Sequence, residues 1–236
     1  MKIVILGSGL LGKELKSQTG WDILSHEKDG IDANHFDEWM DKLQRYDIII
    51  NCIANTDTYS EDKTDHINVN YRFVTHLVKY CNEMGKKLVH ISTDYVYSNS
   101  NNPKTEEDVP VHHSSWYGYS KLLSDAHVEL ECERFLLCRL SHKPKPFPYN
   151  EAWGDVLTNA DYTPIIVGLL VDLINENVTG VYNVGTEEKT IYELAKRTKL
   201  VGRTKSPPHV PKNNLMNISK LQKFLIHLWY DKDKRG

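Results

Sequence analysis

Two side chains of this sequence are spaced to carry out proton transfer. Tyr117 and Lys121 stand four residues apart in a segment whose apolar pattern predicts a helix, so both lie on one helical face. A nearby ammonium stabilises a phenolate and brings the pKa of a tyrosine down toward working pH. Such a phenol could donate a proton to a substrate oxygen while another group delivers a hydride.

Two residues with hydroxyl side chains follow the apolar run 88–91, which predicts a buried strand. Ser92 and Thr93 come directly after that run. A hydroxyl beside the phenol could hold a carbonyl oxygen, on which negative charge grows as hydride arrives. Tyr119 is a rival donor, but it is only two residues from Lys121 and would face elsewhere on the helix. The predicted catalytic residues are therefore Thr93, Tyr117 and Lys121.

The start of the chain has the pattern of a dinucleotide-binding turn. A continuous apolar run over residues 2–6 predicts a buried strand, and helix-forming residues begin at Lys13. Between them lies a GxGxxG pattern, in which the glycines permit a tight turn, close approach of a pyrophosphate and close helix packing. The predicted cofactor contacts here are Gly7, Ser8, Gly9, Leu10, Leu11 and Gly12.

The residues after the second predicted strand leave the choice of coenzyme open. Glu27 could bind the ribose hydroxyls of NAD, whereas His26 or Lys28 could accept the 2′-phosphate of NADP. Asp32 is a candidate neighbour of the adenine, and its alternative role is to cap the following helix. The sequence predicts NADP or NAD without choosing between them.

Strand and helix patterns alternate along the first part of the chain, which predicts an α/β fold with a Rossmann-type doubly wound parallel sheet. A Pro-rich link at 143–148 opens a different part, where Pro164 suits the first turn of a helix and Thr190 with Glu193 forms a capping box. We predict a dinucleotide-binding domain at 1–142 and a small C-terminal substrate-binding lobe at 143–236, interleaved with the sheet edge.

Composition excludes several kinds of partner. The net charge is −3, which gives no electrostatic case for nucleic acid or an anionic membrane. No apolar run is long enough to span a bilayer, and the first strand is too short for a signal peptide. The four Cys show neither CxxC nor metal spacing. We therefore predict a cytoplasmic protein with reduced thiols and no metal.

Several stretches together resemble the dTDP-4-dehydrorhamnose reductases among the extended short-chain dehydrogenases. The most specific is Ile91-Ser92-Thr93-Asp94-Tyr95-Val96-Tyr97, followed by Tyr117-x-x-x-Lys121. The run Asn51-Cys52-Ile53-Ala54-Asn55-Thr56 and the helix residue Asn70 are also similar. Later likenesses lie at Asn159–Pro164, Gly180–Asn183 and Asn214–Leu221, so the resemblance covers most of the chain.

The resemblance implies a role for each matching residue. Thr93 would polarise the 4-keto oxygen of a nucleotide sugar, Tyr117 would donate the proton, and Lys121 would lower the tyrosine pKa and hold the nicotinamide ribose. The sugar pocket would be lined by Asp94, Tyr95 and His142. The dinucleotide would also be contacted by Cys52, Ile53, Ala54, Asn70, Ser92, Tyr117 and Lys121. A homodimer is a further expectation.

The chain departs from the family in two ways. Its glycine turn is GxGxxG where the family usually has GxxGxxG, and the section from Arg139 to Pro164 is shortened. Where reductases carry Arg-Thr-Ser-Trp-Val-Tyr, this chain has Arg139-Leu140-Ser141-His142-Lys143-Pro144. His142 thus replaces a Trp that would stack near the sugar, and Trp153 is a candidate substitute. The segment after Pro164 supplies no Glu for the metal that some reductases share between subunits.

Three functions are compatible with this sequence. The first is NAD(P)H-dependent reduction of the 4-keto group of a nucleotide-activated deoxysugar. The second is a non-catalytic dinucleotide-binding scaffold or regulatory subunit, which the trimmed substrate region favours. The third is a nucleotide-sugar epimerase, which uses the same Tyr and Lys but keeps its cofactor tightly bound. The intact Thr93, Tyr117 and Lys121 favour the reductase, although the sequence fixes neither the sugar nor its nucleotide carrier.

Overall fold

The computed structural model describes residues 1–110 and 115–233. His112 and His113, which precede the predicted active-site helix and could touch a substrate, lie outside the described residues.

Strands and helices alternate through the first 140 residues, as predicted. The strands are β1 (Ile3–Leu6), β2 (Asp22–Leu24), β3 (Ile48–Asn51), β4 (Lys87–Ile91), β5 (Phe135–Leu140), β6 (His142–Lys143), β7 (Glu151–Trp153), β8 (Leu157–Thr158), β9 (Asp161–Tyr162), β10 (Gly180–Val184), β11 (Lys189–Thr190), β12 (Gly202–Thr204) and β13 (Asn213–Asn214). The helices are α1 (Leu10–Thr19), α2 (His26–Asp29), α3 (Met40–Leu43), α4 (Lys63–Ile67), α5 (Phe73–Glu83), α6 (Trp116–Glu131), α7 (Thr163–Asn175), α8 (Ile191–Lys196) and α9 (Ser219–Asp233).

The central sheet has six strands in the order β2-β1-β3-β4-β5-β10, and every neighbouring pair is parallel. The chain runs outward from β1 in both directions, so the strand order reverses between β1 and β3. In open parallel sheets, ligands bind outside the carboxyl ends of the strands at such a reversal. The predicted Rossmann-type fold is confirmed, and its crevice lies above the glycine turn.

Apolar side chains cover both faces of this sheet, which explains why its strands read as continuous apolar runs. One face packs Val4, Leu6 and Ile49 against α5 and the segment around Trp39. The other packs Ile3, Ile5, Ile48 and Ile50 against α1 and α7, with Leu221 of α9 in the same cluster. The sheet is therefore a rigid base from which loops at the strand ends can hold functional groups.

A small lobe rises over the carboxyl edge of the sheet. In it, β8 pairs with both β11 and β13, β7 pairs with β12, and β6 pairs with β9. Its apolar cluster includes Phe147, Val156, Tyr162, Ile191 and Leu194. The stretch 199–214 contributes β12 and β13. Helix α7 and strand β10 return to the sheet, so the lobe is interleaved with it.

Several local predictions are confirmed. Thr190 Oγ1 accepts from the Glu193 amide at 3.1 Å, and the Glu193 carboxylate accepts from the Thr190 amide at 2.7 Å, which completes the capping box. Pro164 lies in the first turn of α7. The helical segment that carries Asn70 contains a π-helical turn at Asn68–Arg72, between α4 and α5. None of the helices in the described part of the chain is long and apolar enough to cross a membrane.

Candidate active site

One cleft of about 1200 Å³ joins the glycine turn to the small lobe. Gly9, Leu10, Leu11 and Gly12 line one end. Its middle is lined by Ser92, Thr93, Asp94, Tyr95, Tyr117 and Lys121, and the lobe contributes Phe147, Tyr149 and Trp153. A cleft of this size can hold two ligands side by side. The predicted cofactor and substrate regions are thus parts of one continuous space.

The three glycines of the turn have the different surroundings that a dinucleotide turn requires. Gly7 has φ +98°, a left-handed conformation that glycine adopts without strain. A Cβ on Gly12 would stand 2.0 Å from the Gly7 carbonyl oxygen, so only glycine lets α1 approach the turn this closely. A Cβ on Gly9 would meet no protein atom within 4 Å. Gly9 therefore faces open space, where a pyrophosphate would lie.

Helix α1 also begins in a way that suits an anion. No side chain caps its first turn, and no acidic residue lies there. The first backbone N–H groups of a helix lack partners within the helix and attract phosphate oxygens. The observed donors and open space fit a dinucleotide.

Lys121 is buried below the middle of the cleft. Its side chain is 2 % exposed, and its ammonium donates to the Ile91 carbonyl oxygen at 2.7 Å. Burial lowers the pKa of Lys121 to about 8, although the nearby Asp125 carboxylate acts to raise it. The ammonium is therefore fixed at the end of β4, directly beside the residues that follow this strand.

Tyr117 has its hydroxyl against Thr93. Burial raises the pKa of Tyr117 to about 12, whereas a hydrogen bond with Thr93 acts to lower it. Lys121 is not among the groups that shift this pKa. Tyr117 is consequently protonated at neutral pH, which is the state that a proton donor needs. That Lys121 lowers the Tyr117 pKa when cofactor and substrate are bound stays a prediction.

His90 is an interior residue of the site that the sequence analysis did not single out. Asn51 Oδ1 accepts from the Ile53 amide at 3.0 Å, which orients the Asn51 amide so that Nδ2 donates to His90 Nδ1 at 3.2 Å. His90 Nε2 lies 3.3 Å from Ser124 Oγ and 3.4 Å from the Lys121 ammonium. Ser124 in turn donates to the Lys121 carbonyl oxygen at 2.8 Å. This chain of bonds ties the end of β3 to the active-site helix.

Asn70, in the π-helical turn, connects the loop after β3 to helix α6. Its Oδ1 accepts from the Asn55 amide at 2.8 Å, and its Nδ2 lies 3.0 Å from the Asn55 carbonyl and from Ser120 Oγ. Asn70 is fully buried and does not line the cleft. The structure thus places it as a residue that positions the loop after β3 against α6, and a cofactor contact stays a prediction.

The predicted sugar-pocket residues lie together beside Thr93. Asp94 is 2 % exposed, and its Oδ1 lies 3.3 Å from Thr93 Oγ1. Burial raises the pKa of Asp94 to about 7, against the lowering effect of Lys143. His142 Nδ1 lies 3.1 Å from Thr163 Oγ1, and burial lowers the pKa of His142 to about 4. His142 is therefore neutral, and it lines the cleft together with Tyr95, Lys143 and Trp153.

The raised pKa of Asp94 predicts a pH-dependent cost to folding. The folded state keeps this proton up to about pH 7, whereas the unfolded state loses it near pH 3.8, so the free energy of unfolding falls as pH rises through that window. Asp94→Asn should remove this fall, and its advantage over the wild type should grow by about 2 kcal/mol between pH 5 and pH 7. Urea unfolding at a series of pH values measures it.

The matched control for that experiment is Asp37→Asn, at an exposed position that does not line the cleft. Its effect on the free energy of unfolding should be small and independent of pH. An Asp94→Asn protein whose stability follows the wild type in parallel from pH 5 to pH 8 would show that Asp94 is ionised throughout.

Of the other predicted cofactor residues, Cys52, Ala54 and Ser92 line the cleft, and Gly7, Ser8, Ile53 and Asp32 do not. Gly7 packs against Ile53, so these two residues lie on the protein side of the glycine turn. Asp32 Oδ1 accepts from the Asn34 amide at 2.8 Å, which closes a local turn. Asp32 does not cap the next helical turn, Phe36–Glu38, because His35 occupies the N-cap position there. Among the residues the structure describes, no group of three or more His, Cys, Asp or Glu side chains could hold a metal ion.

The parallel sheet, the glycine turn and the placement of Thr93, Tyr117 and Lys121 define a Rossmann-type α/β protein with the site layout of an extended short-chain dehydrogenase. Residues 1–142 match the family described as the RmlD substrate binding domain. The chain belongs to the dTDP-4-dehydrorhamnose reductase family.

Individual relatives agree with this assignment. A dTDP-4-dehydrorhamnose reductase of Mycobacterium tuberculosis is 31% identical over 102 residues, which cover 41% of this chain and 34% of that protein. The match thus spans about a third of the curated relative's length. The crystal structure of a hypothetical dTDP-4-dehydrorhamnose reductase from Sulfolobus tokodaii superimposes with a TM-score of 0.80 at 24% identity and covers 94% of both chains.

A second solved structure is a dTDP-4-dehydrorhamnose reductase from Bacillus anthracis in complex with NADP. It gives a TM-score of 0.80 at 22% identity and covers 94% of this chain and 92% of that one. At these identities the two superpositions establish the fold. They also show that the shortened region does not prevent this chain from forming nearly the whole architecture.

Proposed function

We propose that this protein reduces the 4-keto group of a nucleotide-activated deoxysugar with NADPH or NADH, and that Tyr117 donates the proton. The observation that carries the proposal is one continuous cleft, which runs from the glycine turn past Thr93 and Tyr117 into the lobe. The relatives named as dTDP-4-dehydrorhamnose reductases support the substrate class, and the Bacillus anthracis complex with NADP supports the coenzyme class.

The dinucleotide would be held by the turn at Gly9 and the uncapped first turn of α1, and when bound it supplies the hydride. Gly9 offers the open space, and the amides of α1 offer the donors. Leu10, Leu11, Cys52, Ala54 and Ser92 would complete this end of the cleft.

Thr93 and Tyr117 act on the carbonyl oxygen of the substrate. Both hydroxyls line the cleft and bond to each other. A carbonyl oxygen that takes the place of this bond, and of the Thr93 bond to Asp94 Oδ1, would receive a hydrogen bond from each hydroxyl. As the oxygen gains negative charge, these bonds strengthen, and the Tyr117 proton moves to it. As the resemblance implies, the Lys121 ammonium would stabilise the phenolate that remains.

The test is to follow NADPH and NADH oxidation by absorbance with freshly generated dTDP-4-keto-6-deoxyhexoses. We expect oxidation that depends on the sugar, and the better coenzyme will settle the choice that His26, Glu27 and Lys28 leave open. Dinucleotide binding without turnover of any keto-sugar would overturn the reductase and favour a scaffold. Co-purification of tightly bound oxidised cofactor would instead favour an epimerase.

A cytoplasmic location is part of the proposal. Cys52, Cys81, Cys132 and Cys138 are all free thiols. Free thiols are usual in proteins of reducing compartments.

A further inference from the structure

Ser92 lines the cleft directly after β4 and carries a buried hydroxyl. Its amide donates to the Cys138 carbonyl oxygen of β5 at 2.8 Å, and the residue is 4 % exposed. Its hydroxyl oxygen has no hydrogen-bond partner among the residues that the structure describes. Because a buried hydroxyl without a partner destabilises a folded protein, one that lines a cleft points to a ligand.

The polar groups on either side of Ser92 are already bonded. The Ile91 carbonyl oxygen accepts from the Lys121 ammonium at 2.7 Å, and Thr93 Oγ1 accepts from the Tyr95 amide at 3.2 Å. Of the described side chains with a buried polar atom that lacks a partner, only Ser92 lines the cleft. Its hydroxyl can therefore bind a ligand without breaking a bond among the described residues.

The position of Ser92 indicates which part of a ligand would reach it. In the proposed reaction, Thr93 and Tyr117 hold the substrate carbonyl, and the hydride-donating carbon of the coenzyme must approach that carbonyl closely. The carboxamide of nicotinamide is attached to the ring atom beside this carbon. Ser92 stands between Thr93 and Ile91, whose carbonyl oxygen binds Lys121, and the resemblance assigns the nicotinamide ribose to Lys121. The nicotinamide ring would therefore lie beside Ser92.

We propose that the Ser92 hydroxyl binds the carboxamide of the nicotinamide ring and fixes the ring beside Thr93. The inference rests on the proposed nicotinamide-dependent reduction. A hydroxyl both donates and accepts, and a carboxamide offers an acceptor oxygen and two donor hydrogens, so the two groups are complementary. The coenzyme supplies the partner that the hydroxyl lacks within the described protein. Ser92 therefore weakens the ligand-free fold and strengthens coenzyme binding.

Ser92→Ala separates these two effects, because it removes the hydroxyl and leaves a side chain that fits the same space. In urea unfolding of the ligand-free protein, its midpoint should equal or exceed that of the wild type. Its dissociation constant should rise about tenfold for NAD or NADP, whichever the wild type binds more tightly. For the matching ADP-ribose, with the 2′-phosphate in the case of NADP, the change should stay below about twofold, since this ligand lacks the nicotinamide. Ser92→Cys, whose thiol is a weaker hydrogen-bonding group, should give an intermediate loss.

The matched control is Ser98→Ala. Ser98 is also buried, but its hydroxyl donates to the Tyr95 carbonyl oxygen at 2.6 Å, and the residue does not line the cleft. This substitution removes a bond that the protein makes, so it should lower the unfolding midpoint. Both dissociation constants should stay within about twofold of the wild type. The two variants should thus show opposite patterns of stability and binding.

The outcomes separate this inference from the proposed function. If Ser92→Ala leaves the dissociation constant of the dinucleotide unchanged, the hydroxyl does not bind the coenzyme, and the inference fails while the reductase proposal stands. Equal weakening of the dinucleotide and the ADP-ribose would assign the hydroxyl to a ribose and rule out the carboxamide. A midpoint lowered as in Ser98→Ala would show that the hydroxyl is bonded in the ligand-free protein, against the inference. A wild type that binds neither dinucleotide would overturn both proposals.

Discussion

Tyr117→Phe should reduce turnover of the keto-sugar by about a hundredfold to ten thousandfold while leaving substrate and dinucleotide affinity nearly unchanged. The substitution removes only the hydroxyl that would give its proton to the carbonyl oxygen. Because burial keeps the Tyr117 pKa at about 12, the wild-type residue holds that proton at neutral pH. Steady-state kinetics give the loss in kcat, and direct binding shows that the site remains formed.

Tyr119→Phe is the matched control for this experiment. Tyr119 lies on the same helix, is 43% exposed and does not line the cleft. Turnover by this variant should stay within about twofold of the wild type, since the change touches no group of the site. A Tyr117→Phe protein that keeps full turnover would show that another group protonates the substrate.

Gly12→Ala should destabilise the folded protein by about 3 kcal/mol or more, because the new Cβ would stand 2.0 Å from the Gly7 carbonyl oxygen. The backbone of the turn or the whole of α1 would have to move. Gly9→Ala should leave the free energy of unfolding nearly unchanged, since its Cβ meets no protein atom and its φ of −69° suits alanine. The second variant should instead lose dinucleotide affinity.

Chemical unfolding without ligand, together with NADP and NADH titrations, separates these two effects. The expected pattern is a stability loss confined to Gly12→Ala and a binding defect in a fully stable Gly9→Ala. If Gly9→Ala binds both dinucleotides as tightly as the wild type, the pyrophosphate does not approach this glycine. If Gly12→Ala is as stable as the wild type, α1 is packed less closely than the structure indicates.

The parts of the site that could be predicted from sequence are those that depend on local spacing. Buried strands read as apolar runs, and the glycine turn is a local pattern whose three positions have the surroundings expected of it. The four-residue spacing of Tyr117 and Lys121 placed both side chains in the cleft. Such features follow from helix and strand periodicity, which is a property of the chain itself.

The remaining features depend on contacts between distant segments. His90 bonds to Asn51 and lies beside Ser124, which no spacing rule brings together. Its one local signal is a polar side chain inside an otherwise apolar strand. Asn70 positions the loop after β3, because the π-helical turn directs it toward Asn55 and Ser120. The pKa of Tyr117 depends mainly on burial, which spacing does not report.

The pairing of strands within the lobe limits how substrate preference can be transferred between proteins. Strands β7 and β8 come from one stretch of chain, and their partners β11, β12 and β13 come from another, beyond α7 and β10. A chimera that takes only residues 143–162 from a relative would pair the relative's β7 and β8 with this chain's β11, β12 and β13. The side chains at these strand contacts would then come from two different proteins. Substrate preference should therefore transfer between family members only when both stretches, 143–162 and 185–217, are exchanged as a unit.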